Sequence, residues 1–386
     1  MNIKELDQAY VAHTYARFPV EIVSGRGSEV YDSEGKRYID FTSGIGVTAF
    51  GAADAEWVAA VTAQLGKIQH ASNLFYTEPG AKLAEMLCAR TGMKKVFFSN
   101  SGAEANECAI KVARKYAAET HGADTFTILT LLKSFHGRTL ATLSATGQEH
   151  YHELYQPLLP GFVHTPANDL DALMAAAKEH KLAAVMMECV QGEGGVTALE
   201  PAFVQGAAAF CKAHDILLII DEVQTGNGRT GTLYAYEQFG VEPDVVTTAK
   251  GLGGGLPLGA CLMGEKVQDV LQPGDHGSTY GGNPAACAGA LNVLSRIDDA
   301  LLAEVREKAA FLRDAFTGAA GIESVSGLGL MMGLKTAKPA KEVLAACREQ
   351  GVLALTAKEK IRLLPALNIP MPLVKEAANV IKNACQ

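Results

Sequence analysis

Two apolar runs that end beside opposite charges constrain this chain more than any other feature. Ile216 to Ile220 is an unbroken β-rich stretch closed by Asp221, and Val245 to Thr248 is a second one, followed by Lys250. A strand that is apolar on both faces belongs in a parallel sheet covered by helices, so a polar residue straight after it lies at the sheet's carboxyl edge. Open α/β sheets bind their ligands along that edge. Val96-Phe97-Phe98-Ser99 turns through Asn100-Ser101-Gly102 into a helical pattern with Ala105, Cys108, Ala109, Val112 and Ala113 on one face. Strand and helix signals alternate from about residue 60 to 275. The expected fold class is therefore α/β, a mainly parallel central sheet with helices on both faces plus a smaller α+β domain.

The smaller domain is read from a change of character after Asn283-Pro284. Residues 285–320 are Ala-rich and helical, and two strand-like pieces, Gly327 to Leu334 and Ile361 to Leu364, surround a helix-like stretch at 338–350. Near the start, Glu29 to Asp32 and Arg37 to Phe41 flank Ser33-Glu34-Gly35-Lys36, a hairpin signal. The expected division is an N-terminal segment at 1–55, a large domain at 56–284 and a small domain at 285–386.

An acid and an amine at the carboxyl edge of one sheet have a specific chemical use. Pyridoxal phosphate needs an amine to carry it and an acid beside its pyridinium nitrogen, because a protonated ring absorbs the electrons of a carbanion. Asp221 is the candidate acid and Lys250 the candidate amine, although either alone also fits a turn cap or a solvated loop lysine. The helix start at Ser101-Gly102 offers free N–H groups and a dipole to a phosphate, while Ser101 is equally a good N-cap. Arg138 follows the strand-like Thr127 to Leu132, near the same edge, where a planar guanidinium would clamp a carboxylate, although a surface arginine in a loop fits the residue equally well. No G-x-G-x-x-G lies between a strand and a helix with an acid beyond it, which argues against a nicotinamide-dependent dehydrogenase. The glycines from Gly251 to Gly255 lack that spacing and follow the lysine.

Long ordered stretches resemble the class III aminotransferases: HTYARFPV at 13–20, NSGAEANE at 100–107, FHGRTLATLS at 135–144, QGEGGV at 191–196, IIDEVQTGNGRTG at 219–231, AKGLGGGLPLGA at 249–260 and HGSTYGGNPAACAGA at 276–290. The resemblance implies a fold type I pyridoxal 5'-phosphate enzyme, a homodimer with its active sites at the subunit boundary, and an N-terminal segment packed with the small domain. Residue by residue, it gives Ser101, Gly102, Ala103, Phe135, Asp221, Val223, Gln224, Lys250 and Thr279 to the cofactor. Phe135 is the ring that stacks on it, Gln224 contacts its phenolic oxygen, and Thr279 reaches the phosphate in the partner subunit. Tyr15, Arg138, Glu193, Ser278 and Arg362 fall to the substrate. Arg138 matches the arginine that holds the carboxylate distant from the reacting amine. Glu193 matches a carboxylate that covers the arginine at 362 while an ω-amine reacts, then swings aside for the α-carboxylate of glutamate or 2-oxoglutarate. An uncovered arginine in a shielded site would be an unpaired charge and would attract the wrong end of the first substrate; a fixed structural salt bridge is the plainer alternative.

The implied reaction is ping-pong transamination from an acylated ornithine to 2-oxoglutarate. Tyr15 and Arg17 match members of that type, and Ile45 stands where members that bind free ornithine carry a tyrosine. Other ω-amines as donors, and a regulatory protein that only binds the cofactor, stay open. The chain departs from the usual pattern at Phe50-Gly51-Ala52-Ala53-Asp54, in place of His-x-Pro, at Cys189 in place of proline, and at Ser326 where many relatives carry arginine. These departures bear on loop shape and remove no catalytic group.

Bulk properties narrow the partners. With 386 residues, 48% of them apolar, the chain exceeds one typical domain and can bury a large core. A net charge of −8 argues against nucleic acid, so anionic substrates must be met by local arginines. No apolar run is long enough to span a membrane, and MNIKELDQAY lacks a signal peptide's basic and apolar regions, so a cytoplasmic protein is expected. None of the eight cysteines forms a C-x-x-C pair, which fits reduced core residues and no metal site.

Overall fold

The computed structural model describes residues 2–386. Its centre is a seven-stranded sheet in the order Lys95–Ser99, Gly259–Met263, Val245–Thr248, Leu217–Asp221, Leu182–Met187, Thr127–Leu131, Phe162–Thr165. Gly259–Met263 runs antiparallel to both neighbours, and the remaining pairs are parallel. Leu182–Met187, Leu217–Asp221 and Val245–Thr248 are buried throughout, which is why their sequences show no polar alternation. The period of two survives inside the protein. Ala184, Met186, Leu217 and Ile219 pack with Cys108, Ala109 and Val112 of the helix Gly102–His121. Val185, Met187, Leu218 and Ile220 face the other layer, with Phe203, Val204 and Ala207 of the helix Pro201–His214.

The segment before residue 55 contributes Ile22–Arg26 and the hairpin strands Glu29–Asp32 and Arg37–Asp40, and the last of these pairs in parallel with Val352–Leu353. A further sheet holds Ile322–Leu328, Met331–Thr336, Lys360–Leu363 and Leu355–Ala357. Here the structure corrects the single strand expected over Gly327 to Leu334. The chain turns at Gly329-Leu330 and the two halves pair as a hairpin. Gly329 has φ +54°, and a Cβ there would lie 2.5 Å from the backbone carbon of Thr230, so the turn seats directly on the large sheet's loops. Because Leu330 is fully buried, that turn carries no polar signal in the sequence.

All eight cysteines are free, and seven of them are buried. Among the described residues no cluster of His, Cys, Asp or Glu could hold a metal ion, and no helix is long and apolar enough to cross a membrane.

Candidate active site

Strand register brings the charged residues together. Ile220 pairs with Met187 and Asp221 with Thr247, so Glu188, Asp221 and the segment leading to Lys250 emerge side by side at the carboxyl edge. They border a cavity of about 510 Å³, which Tyr15, Ser101, Gly102, Ala103, Phe135, Arg138, Val223, Gln224 and Lys250 also line.

Asp221 is 3% exposed and carries three hydrogen bonds. Its Oδ2 accepts from His136 Nδ1 and from Asn106 Nδ2, both at 2.8 Å, and its Oδ1 accepts from the Val223 amide at 3.0 Å. Thr247 Oγ1 donates to Asn106 Oδ1 at 2.6 Å, which fixes the direction of that amide. Three donors thus meet the two acceptor oxygens of this buried carboxylate. Burial opposes a charge on His136, but the bond to Asp221 and the charges of Asp221 and Glu188 together outweigh it and the imidazole pKa is raised; its Nε2 has no partner among the described residues.

Lys250 has φ +46°, an uncommon conformation for a side chain of this size, directly after a strand. Part of the residue borders the open cavity, while its ammonium lies deep among protein atoms, and that burial lowers its pKa against the pull of Glu193 and Asp221. Among the described residues no hydrogen bond or ion pair holds Nζ. Glu188 is buried as well; burial pushes its carboxyl up to about 7, with the charge of His136 opposing and that of Asp221 adding.

The helix start serves both of its expected uses. Ser101 Oγ accepts from the Glu104 amide at 3.2 Å as a plain N-cap. The amides of Gly102 and Ala103 find no acceptor among the described residues and are free for an anion. A Cβ on Gly102 would lie 2.5 Å from Val223 Cγ1, so only glycine lets the helix end approach the Asp221 loop this closely. The free amides, the unheld amine and the fully anchored carboxylate around one cavity fit the phosphate, carbonyl carbon and ring nitrogen of pyridoxal phosphate.

Arg138 is exposed, with its guanidinium 4.6 Å from the Tyr151 ring centre and 5.8 Å from that of Phe135. Arg362 lies beyond Gln224, buried, and donates through Nη1 to Glu193 Oε1. Burial raises the Glu193 pKa, but Arg362 outweighs it and the carboxyl stays below its usual value. Gln224 accepts from Arg362 Nη1 at 3.2 Å and its Nε2 lies 3.5 Å from Glu193 Oε1, so its amide is engaged by the ion pair.

Ser278 and Thr279 lie elsewhere. They line a neighbouring cavity of about 640 Å³ with His70 and Asn73. Ser278 Oγ accepts from Asn100 Nδ2 at 3.1 Å and from the Gly281 amide at 3.0 Å, whereas Thr279 is exposed. Tyr15 is 75% exposed at the rim, and Val47 rather than Ile45 borders the first cavity. Sequence reasoning gave no role to His136, Asn106 or Glu188. Glu188 did carry a signal, since it follows the apolar run Leu182 to Met187 as Asp221 follows its own.

Comparison with known proteins agrees with this geometry. The profile of the family described as aminotransferase class-III matches residues 10–385. An acetylornithine aminotransferase of Haemophilus ducreyi is 52% identical over 370 residues, covering 95% of this chain and 94% of the relative. The crystal structure of N-acetylornithine aminotransferase from Stenotrophomonas maltophilia is similar, with a TM-score of 0.86 and 37% identity over 98% of this chain and 97% of that one. An ornithine aminotransferase from Toxoplasma gondii superposes with a TM-score of 0.95 at 31% identity, over 99% and 94%.

Proposed function

This chain belongs to the class III aminotransferases, and from that premise we propose that it moves the terminal amino group of N2-acetylornithine to 2-oxoglutarate, giving N-acetylglutamate 5-semialdehyde and glutamate in arginine biosynthesis. The observation that carries this reading is the Glu193–Arg362 pair beside the Lys250 cavity. A covered arginine suits an enzyme that must accept two differently charged substrates in one pocket.

Pyridoxal 5'-phosphate, when bound, supplies the chemistry by taking up the electrons of the C–H bond that breaks and holding the amino group between the two substrates. Gly102, Ala103 and Ser101 would meet its phosphate, joined by Thr279 of a second copy. Phe135 and Val223 would enclose the ring, Gln224 would meet the phenolic oxygen, Asp221 would keep a proton on the ring nitrogen and Lys250 would be the amine that carries the group.

Each side chain then has a defined task. Lys250 Nζ, in its neutral form, takes the proton from the substrate carbon that bears the amine and delivers it on the far side of the amino nitrogen; burial, which lowers its pKa, favours that form. Arg138 clamps the carboxylate distant from that carbon, with Tyr15 and Ser278 of the second copy closing on the same substrate. Glu193 neutralises Arg362 during this first half. In the second half Glu193 turns away, and Arg362 takes the α-carboxylate of 2-oxoglutarate and later of glutamate.

The chain acts as a homodimer on this reading. Thr279 and Ser278 line a separate cavity, and Phe75, Tyr76 and Tyr280 are 71%, 107% and 62% exposed near it, which supports a protein surface closing there. On the same reading the N-terminal segment up to residue 55 packs with the small domain at 285–386, which the pairing of Ile39 and Val352 supports, beside a large domain at 56–284. The test is single-turnover kinetics with N-acetylornithine, succinylornithine, ornithine and 4-aminobutyrate; a faster first half with another amine would reassign the donor.

A further inference from the structure

Glu188 is 5% exposed, and both oxygens of its carboxylate are in use. Oε2 accepts from the Phe135 amide at 2.9 Å, and Oε1 accepts from the Gly192 amide at 3.3 Å. These amides belong to the two loops that read the substrates, one carrying Phe135 and Arg138 and the other carrying Glu193. Neither amide has another acceptor among the described residues.

The Glu193 loop is fastened at further points. Gln191 Nε2 donates to the Leu132 carbonyl at 2.9 Å, and Val190–Gln191 pairs with Thr197–Ala198 on the return strand. A Cβ on Gly194 would lie 2.5 Å from the Lys133 carbonyl oxygen, and one on Gly192 would lie 2.5 Å from Gln224 Oε1. Backbone on both sides of Glu193 is therefore held against the neighbouring loop, while its side chain remains 26% exposed to the cavity region.

We propose that Glu188 is a positioning residue that pins the backbone bearing Glu193 to the loop bearing Phe135 and Arg138, so that the change between substrates is a rotation of the Glu193 side chain and not an opening of its loop. This rests on the reading of Glu193 as the cover of Arg362. The consequence is that Arg138 and Arg362 keep one spacing through both halves of the reaction. A carboxylate suits the task because it offers an acceptor to each loop, whereas an amide turns one of those acceptors into a donor facing an N–H.

The experiment combines hydrogen exchange and half-reaction kinetics on the cofactor-loaded protein, comparing wild type, Glu188→Gln and Glu193→Ala. In wild type, exchange over 190–196 should stay within about twofold when glutamate is added; a rise of about tenfold or more there would mean that the loop opens and would overturn the proposal. In Glu188→Gln, exchange over 133–138 and 190–196 should rise about tenfold or more, and KM for 2-oxoglutarate should rise about fivefold more than KM for N-acetylornithine. Unchanged exchange in both segments overturns it. Glu193→Ala separates the premises. If it leaves both KM values alone, the covering role fails and the proposal falls with it; if it shifts them while Glu188→Gln changes nothing, only the pin fails. Should Glu188→Gln not fold, the wild-type arm still decides.

Discussion

His136 donates through Nδ1 to Asp221 Oδ2 at 2.8 Å at the buried floor of the cavity, and it does so beside Asn106, which reaches the same oxygen at the same distance. The acid at the head of the cavity is thus set by two side chains from a loop and a helix that flank it. His136→Phe removes one donor from a buried carboxylate and should destabilise the protein by about 1–3 kcal/mol. The cofactor's visible band should also shift its pH dependence, because Asp221 then holds the ring proton with one partner fewer. Thermal denaturation and a spectrophotometric pH titration check the two effects.

Lys250→Ala removes the amine and the proton carrier together. Turnover should fall by about 10⁴-fold or more, since general base and carrier are lost in one change. Steady-state kinetics with added cofactor measure it, and wild-type rates would sink the assignment.

Arg138 has no carboxylate partner among the described residues, so its charge is available to a substrate. Arg138→Lys replaces a two-pronged clamp by a point charge, and kcat/KM for N-acetylornithine should drop about 10- to 100-fold with the fold intact. Circular dichroism alongside kinetics separates the site effect from unfolding.

Glu222, next to Asp221, is buried, and burial raises its pKa from 4.5 to about 7 although Thr225 and the Tyr236 amide donate to it. The folded state therefore binds a proton more tightly than the unfolded one. Its contribution is fully present below pH 4.5 and is lost as the pH rises through about 7. Glu222→Gln should flatten the stability profile across that window by up to about 3 kcal/mol, as urea unfolding at a series of pH values would reveal. A steeper profile in the variant contradicts the sign.

If Thr279 completes the site of a second copy, inactive subunits should complement each other. Mixing Lys250→Ala and Thr279→Ala chains rebuilds one intact site in each mixed dimer, so activity should return to about one quarter of wild type after subunit exchange. No recovery would place Thr279 within its own subunit's site.

Much of this was legible in the chain because strand ends write their chemistry directly after apolar runs. Asp221, Lys250 and the Ser101-Gly102 helix start all follow that rule, and the structure brings them around one cavity. Glu188 obeys the same rule, so its place was legible, but its task was not, because its partners are backbone amides, Phe135 and Gly192, which no side-chain pattern announces. His136 and Asn106 act through a third residue, and only the packing of a loop and a helix beside Asp221 makes that contact. The hairpin at Gly329 was hidden for a different reason: its turn is buried against Thr230 and so is built from apolar residues. Val47, two residues on from Ile45, is the one that borders the cavity.

The most direct test of the account is a single-turnover absorbance experiment. Purified protein loaded with pyridoxal phosphate is mixed separately with N-acetylornithine, succinylornithine, ornithine and 4-aminobutyrate, and loss of the cofactor's visible band is followed in time. The account predicts the fastest loss with N-acetylornithine and recovery of the band on adding 2-oxoglutarate. A faster loss with another amine would contradict the donor, and no response to any of them would contradict the reaction itself.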